Sequence, residues 1–378
     1  MTDPLSAPAP SAVPVALQEP SSVSFPLRWL LEHAVAPIKY RALAEVAMLP
    51  GPAKELAWTP YAFAPAIELM LAQSPDGTWN NALLAPPSAR AEGFDAVGTI
   101  HAIRRLLEYG WDKDSPPLVL ARRVLFRLLA EDNDPAYLFE LTPKGKPDDD
   151  LARFGRQIVR EAAAATLAQA GYGDDPRLRG AARRILDRTA EFLASPLAEK
   201  PWMRVGNQQV LAPEAAPPSI YALHMLAHLP LVRTENYAAI DAVYEWLTRT
   251  LPRQESIQLV GKHLLPVPHF VLGDQLPHRN ALEDDVPAAV AWLELVARLG
   301  FLRRQEQWSK MFERLLDDRD RMGIWHPHKG SAMPKTHSAY VWPAYPLDRV
   351  NDGEERWTDF TFRLGLIARL TGRTIDLI

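Results

Sequence analysis

Along this chain apolar residues recur at three- and four-residue spacing, the period of an amphipathic helix, and the apolar stretches close in similar ways. The endings are Met48–Gly51, Leu107–Gly110, Gln169–Gly171, His228–Pro230, Arg298–Gly300 and Leu370–Gly372. Counted from Gly51 through Gly110, Gly171, Pro230 and Gly300 to Gly372, the steps are 59, 61, 59, 70 and 72 residues. A recurring ending at a near-constant spacing marks a repeat architecture. Glycine suits it because a helix often ends on a residue with positive φ, and proline suits it because it cannot continue a helix.

Each repeat reads as a helical hairpin. Strongly apolar helices are expected at 37–49, 94–109, 151–170, 217–229, 286–299 and 356–371, and we name this set inner. Helices with more charge around an apolar stripe are expected at 60–73, 115–131, 176–195, 235–251 and 303–320, and these suit an outer layer. A helix at 26–35 supplies the sixth outer element by packing beside the last inner one. Burying every apolar face favours closure, so the predicted fold is all-α, an (α/α)6 toroid of six helical hairpins. The outer-to-inner crossovers 74–93, 132–150, 196–216, 252–285 and 321–355 are long and would share one rim with the N-termini of the inner helices. Free N–H groups there favour acids and anions. Alternation about Gly206 in Met203–Val210 and about Gly261 in Ile257–Leu264 predicts small β-hairpins in these rim loops.

Composition narrows the picture. At 378 residues with 47% apolar residues the chain can bury a large core. Residues 1–24 are rich in Pro, Ala and Ser and lack the basic start and apolar run of a secretory signal, so a disordered tail 1–24 and a single domain 25–378 are expected. The net charge of -4, with no strongly basic segment, argues against nucleic acid as a partner. The absence of cysteine excludes disulfides, thiolate zinc sites and a cysteine nucleophile. No apolar run is long enough to span a bilayer, and a cytoplasmic protein is the expectation.

The segment Gln73-Ser74-Pro75-Asp76-Gly77-Thr78-Trp79 resembles the Q-x-x-x-G-x-W repeat of squalene–hopene cyclases and protein prenyltransferase β subunits. A second copy, Arg319–Trp325, keeps Gly323 and Trp325. The resemblance implies an α/α toroid and an isoprenoid substrate. Class II terpene cyclases place an Asp-x-Asp-Asp-Thr-Ala sequence at the start of an inner helix, and Leu282-Glu283-Asp284-Asp285-Val286-Pro287 stands in the matching place. By that comparison Asp284 is the proton donor and Asp285 its partner, while Leu282, Val286 and Pro287 depart from the pattern. Read from the residues alone, Glu283 to Asp285 equally well cap a helix N-terminus. The resemblance brings a small-molecule isoprenoid substrate, leaves room for peripheral membrane contact, and implies no cofactor and no metal. Oligomeric state is not legible.

Other candidates come from spacing and density. Asp95 lies near the start of an inner helix and, with Asp284 and Asp285, could gather at one opening. Separated carboxylates across an opening also suit sugar hydrolysis, and many sugar-processing enzymes use six-hairpin toroids, so a carbohydrate-active toroid is the alternative. A non-catalytic binding toroid is a third. His224 and His228, four apart on one helix face, suit a metal or a packed pair. The last crossover concentrates Trp325, His326, His328, Tyr340 and Trp342, which suits either ligand contact or packing onto the ring. Polar stripes run along two inner helices, with His101, Arg105 and Glu108 on one and Arg153, Arg156 and Arg160 on the other. Charges there must be paired, hydrated or turned to a ligand.

Overall fold

A computed structural model describes residues 22–85, 94–130, 149–249, 256–267, 286–326, 333–336, 338–347 and 353–378. The chain is mostly helical, with small sheets as a minor part. In chain order the elements are β1 Val23–Phe25, α1 Leu27–His33, α2 Ala36–Arg41 continuing as a π turn over Ala42–Val46, α3 Pro50–Leu56 and α4 Ala64–Leu71. Next come α5 Thr99–Glu108, α6 Pro116–Ala130, α7 Asp149–Gln169, α8 Pro176–Ala194, β2 Trp202–Val205 and β3 Gln208–Leu211. They are followed by α9 Ile220–Ala227, α10 Pro230–Glu235, α11 Tyr237–Leu247, β4 Ile257–Val260 and β5 His263–Pro266. The chain closes with α12 Val286–Arg298, α13 Glu306–Asp317, α14 Thr358–Leu370 and β6 Ile375–Leu377.

The two helix layers separate by burial. Every residue of α9 is buried, and α14 is buried from Thr358 to Ala368. By contrast α13 buries only Trp308, Met311, Phe312, Leu315 and Leu316, an i, i+3, i+4, i+7, i+8 stripe. Among the buried helices α5 packs on α7, α7 on α9, α9 on α12, α12 on α14, and α14 on the π turn after α2. A hydrogen bond of 2.6 Å from Arg41 to Glu108 joins α2 back to α5. The helix α1 packs beside α14, as expected for the N-terminal element.

Chain turns follow the expected chemistry, with corrections. Gly110, Gly171, Gly300 and Gly372 all end helices at positive φ. At the first repeat Met48 (φ 55) takes the left-handed position, and Gly51 instead lies in the first turn of α3, which Pro50 opens. Pro230 likewise opens a short helix. The expected helix at 94–109 starts only at Thr99, because residues 94–96 form a turn with Ala96 at φ 66. Val23 and Ser24, assigned to the tail by sequence, belong to β1, which pairs parallel with β6. Both predicted hairpins form, and a bridge between Leu211 and Gln258 joins them into one four-stranded sheet.

The two Gly–Trp motifs make the same hydrogen-bonded turn. In the first, Gly77 N–H donates to Ser74 O, Ser74 N–H to Thr78 O, and Trp79 N–H to Thr99 Oγ1 at the start of α5. In the second, Gly323 N–H donates to Asp320 O, Asp320 N–H to Ile324 O, and Trp325 N–H to Thr361 Oγ1 in the first turn of α14. A side chain at position 77 would meet the Leu120 carbonyl oxygen at 2.9 Å, and the backbone there has φ 91, so both space and torsion require glycine. Trp79 and Trp325 are wholly buried; Trp79 links the end of α4 to α5, and Trp325, which follows α13, links to α14.

Candidate functional site

Polar side chains from six helices meet in one buried hydrogen-bonded network. Glu108 on α5 is its hub: Oε2 accepts from Arg41 of α2 and Arg363 of α14, both at 2.6 Å, and Oε1 accepts from Gln169 of α7 at 2.8 Å. Arg363 also donates to Glu294 of α12 at 2.8 Å, and Arg298 donates to the other oxygen of Glu294. Gln169 Oε1 accepts from Arg104 and from His224 Nε2 of α9 at 3.0 Å, which leaves His224 Nδ1 to accept from the Tyr340 hydroxyl at 2.9 Å. Side chains from α2, α5, α7, α9, α12 and α14 are thereby tied into a single unit.

Burial works against each charge, and the opposing charges outweigh it. Arg363 and Arg41 hold the Glu108 carboxyl well below the usual carboxylate range despite its desolvation. Glu294, likewise desolvated, is held at about 2 by Arg363 and Arg298. The histidines have no such rescue. Burial, helped by nearby arginines, lowers His101 and His228 to about 3 and His224 well below its ordinary value, so all three are neutral at pH 7. Asp359 goes the other way: burial raises its carboxyl, and Arg363 and the Leu347 N–H offset this only in part.

Residues 338–347 lie on this network as a plug. Arg105 donates to the carbonyl oxygens of Trp342, Pro343 and Pro346, Arg363 donates to Ala344 O, and Asp359 Oδ2 accepts from Leu347 N–H at 2.7 Å. The Arg104 guanidinium stacks over the Tyr340 ring at 4.6 Å and Arg105 over Trp342 at 5.1 Å. The buried helices thus meet through paired charges and through this segment.

An open cleft of about 900 Å³ lies away from that centre, between the N-terminal half of α7, the C-terminal half of α8 and the four-stranded sheet. Asp150, Arg153, Phe154, Gln157 and Glu161 of α7 line it, with Arg188, Glu191 and Phe192 of α8. The 213–216 segment, Ser219 and residues 259–261 at the β4–β5 turn complete the lining. Gln258 of β4 pins that segment by donating to Ala212 O at 3.0 Å and Ala215 O at 2.8 Å. Glu161 is buried at the bottom, where Arg188 and the Ser219 hydroxyl both donate to it, and Ser219 also caps α9 by accepting from Ala222 N–H. Glu191 and Glu214 are exposed at the edge and form no ion pair among the described residues. The cleft therefore offers Glu161 fixed by Arg188 and Ser219, Asp150 paired with Arg153 at 3.3 Å, two open carboxylates, and apolar surface from Phe154, Leu197 and Leu259.

Sequence-selected residues fall into four groups. Asp284, Asp285 and His328 lie outside the described residues. Tyr340, Trp342, His224 and His228 gather at this network among protein partners: the rings of His224 and His228 are 4.7 Å apart, and both nitrogens of His224 are engaged, whereas His101 is buried on α5 with no hydrogen-bond partner for its ring among the described residues. Trp325 is not open to a ligand, because it packs against Trp357 and Phe360. His326 sits beside it and contacts Asp320 Oδ2 at 3.2 Å. Asp95 is exposed in the turn before α5, away from the cleft lining, and Arg156 and Arg160 are half-buried on α7 and do not line the cleft either. Sequence reasoning passed over Glu161, Ser219 and Arg188. The only signal for Glu161 was its continuation of the Arg153–Gln157 face at i+4 on a predicted inner helix. No protein-family model, curated protein or solved structure matches the chain.

Proposed function

We propose that the chain is a six-hairpin α/α toroid whose centre is structural and whose rim cleft binds a neutral, polyhydroxylated ligand of the carbohydrate class. The toroid reading rests on the succession of inner-helix contacts that returns to α2, and on the network that draws on six helices. The observation that carries the ligand class is the mixed lining of the cleft. Carboxylates at Glu161, Glu191 and Glu214 are acceptors for hydroxyls, and Phe154, Leu197 and Leu259 supply apolar surface for the C–H faces of a sugar ring. The size suits a ligand of drug-like dimensions or longer, since clefts of roughly 300–1,000 Å³ are the norm for small-molecule sites. An isoprenoid chain fits this arrangement less well, because a hydrocarbon gains nothing from a carboxylate-lined cleft and the toroid centre holds buried charges in place of apolar volume.

The test is calorimetric titration with a panel of neutral oligosaccharides, acidic oligosaccharides and a polyprenyl diphosphate, on the wild type and on Glu191→Gln and Phe154→Ala. Saturable binding of a neutral oligosaccharide that both substitutions weaken by about tenfold supports the reading. Binding of the polyprenyl compound alone, or of a sugar with equal affinity in both variants, refutes it.

A further inference from the structure

A second concave site lies on the outer wall, between α6 and α8, with a volume of about 580 Å³. Four guanidiniums converge on it: Arg122, Arg123 and Arg127 from one face of α6, and Arg177 from the first turn of α8. One carboxylate, Asp175, shares the lining, giving 4 − 1 = +3 in a chain whose total is -4. Asp175 is already committed, because it accepts from the Arg177 side chain at 2.8 and 3.1 Å and from the Arg177 N–H at 2.9 Å. Just outside the lining, Lys113 adds a charge, while Asp114 reaches Arg122 only at 3.8 Å and Asp76 acts on Arg127. Counting these three as well, five cations face three carboxylates among the described residues, a surplus of +2 within that set.

The cations are positioned by aromatic rings as much as by acids. The Tyr172 ring lies under both Arg122 and Lys113, at 5.7 and 5.3 Å, and its hydroxyl accepts from Arg122. Phe126, set edge-on to Tyr172, carries Arg177 at 3.9 Å. A ring face orients a guanidinium without neutralising it. Stacking fixes Arg122 and Arg177 in place with little rotamer freedom left to lose on meeting a ligand, while Nε and Nη2 of Arg177 donate to Asp175 and Nη1 of Arg122 donates to the Tyr172 hydroxyl. Arg123 is exposed and makes no ion pair among the described residues. Like charges held around one hollow repel unless an anion fills it, and planar forks of this kind match phosphate oxygens in pairs.

We propose that this groove is a binding site for a group carrying two or more phosphate charges. The site is independent of the rim cleft, which lies on the other half of α8. Two sources supply such a group, a soluble oligophosphate and a phosphoinositide headgroup in a membrane, and the test separates them. The full-length chain is titrated with inorganic tripolyphosphate at low and physiological salt, and is sedimented with phosphatidylcholine vesicles with and without phosphatidylinositol bisphosphate. The expected result is saturable binding to at least one probe that weakens with salt and falls about tenfold or more in Arg123→Gln and in Arg177→Gln. Arg321→Gln, an exposed arginine elsewhere, leaves it unchanged. Binding to tripolyphosphate identifies a soluble ligand, and binding only to phosphoinositide vesicles identifies the membrane. Absence of saturable binding to either probe overturns the proposal, as does an equal loss in Arg321→Gln. Thermal melts of the variants at the wild-type midpoint tie any loss to the site and not to the fold.

Discussion

Removing the hub charge should be the most damaging conservative change in the chain. Glu108→Gln keeps the size and the acceptor that Gln169 uses, and removes the negative charge that faces Arg41 and Arg363, each at 2.6 Å. Both guanidiniums are buried, at 4% and 3% exposure, so water cannot take over. Arg41 keeps Glu45 and Arg363 keeps Glu294, so neither is left bare. Two charged hydrogen bonds at about 1.5–3 kcal/mol each give roughly 3–6 kcal/mol. That range overlaps the roughly 3–5 kcal/mol lost when one partner of a buried ion pair is removed. In a chain of this size each kcal/mol moves the melting midpoint by about 2 °C, so a fall of roughly 6–10 °C is expected. The assay is thermal and urea unfolding followed by circular dichroism. Glu32→Gln, in the exposed Arg28–Glu32 pair, serves as control and should cost about 0.5 kcal/mol or less. A Glu108→Gln midpoint indistinguishable from that control would refute the claim that the network holds the helices together.

Acid should destabilise the fold well above carboxylate pH. His101 and His228 bind their proton at about 3 in the folded chain and near 6.5 when unfolded, so below pH 6.5 only the unfolded chain is protonated. Each then costs about 1.4 kcal/mol per pH unit, about 2 kcal/mol at pH 5. Below about pH 4.5 the lowered Glu108 and Glu294 add to the loss, while Asp359, shifted upward, acts in the opposite sense. Urea midpoints at pH 7.5 and 5.0 should therefore diverge, and His101→Leu should narrow the gap by about 2 kcal/mol. It should do so without loss at pH 7.5, since neither ring nitrogen of His101 has a hydrogen-bond partner among the described residues. An unchanged gap would contradict the burial of a neutral imidazole. Separately, Trp79→Ala should cost about 3–5 kcal/mol, whereas Thr99→Val, which removes only the hydroxyl that receives Trp79 N–H, should cost about 1–3 kcal/mol. Equal effects of the two substitutions would mean that the turn, and not the ring, fastens the hairpins.

Much of the helix layout was legible because it is local. A helix end needs a glycine or proline within a residue or two, and an apolar stripe repeats every turn, so α7, α8 and α12 fall within a few residues of their expected bounds. The partners of the polar stripes were not legible. Glu108 meets Arg41 across 67 residues and Arg363 across 255, and no spacing rule links residues that far apart. The stripe itself pointed to charge inside the inner layer, but not to a network that consumes it. Histidines at i, i+4 carry the same sequence signal whether they face a metal or, as His224 does, a glutamine and a tyrosine. The cleft was invisible for a further reason: part of its lining comes from the sheet in which Leu211 and Gln258 join two hairpins, a pairing between separate crossovers.

Hydrogen–deuterium exchange with and without a saturating neutral oligosaccharide tests the central claim most directly. If the cleft between α7, α8 and the four-stranded sheet is the binding site and the buried network is structural, protection appears at 150–161, 188–197 and 213–219, while 99–108 and 338–347 are unchanged. Protection concentrated at 338–347 and along α5, with none around Glu161, would place the ligand in the centre and contradict the account.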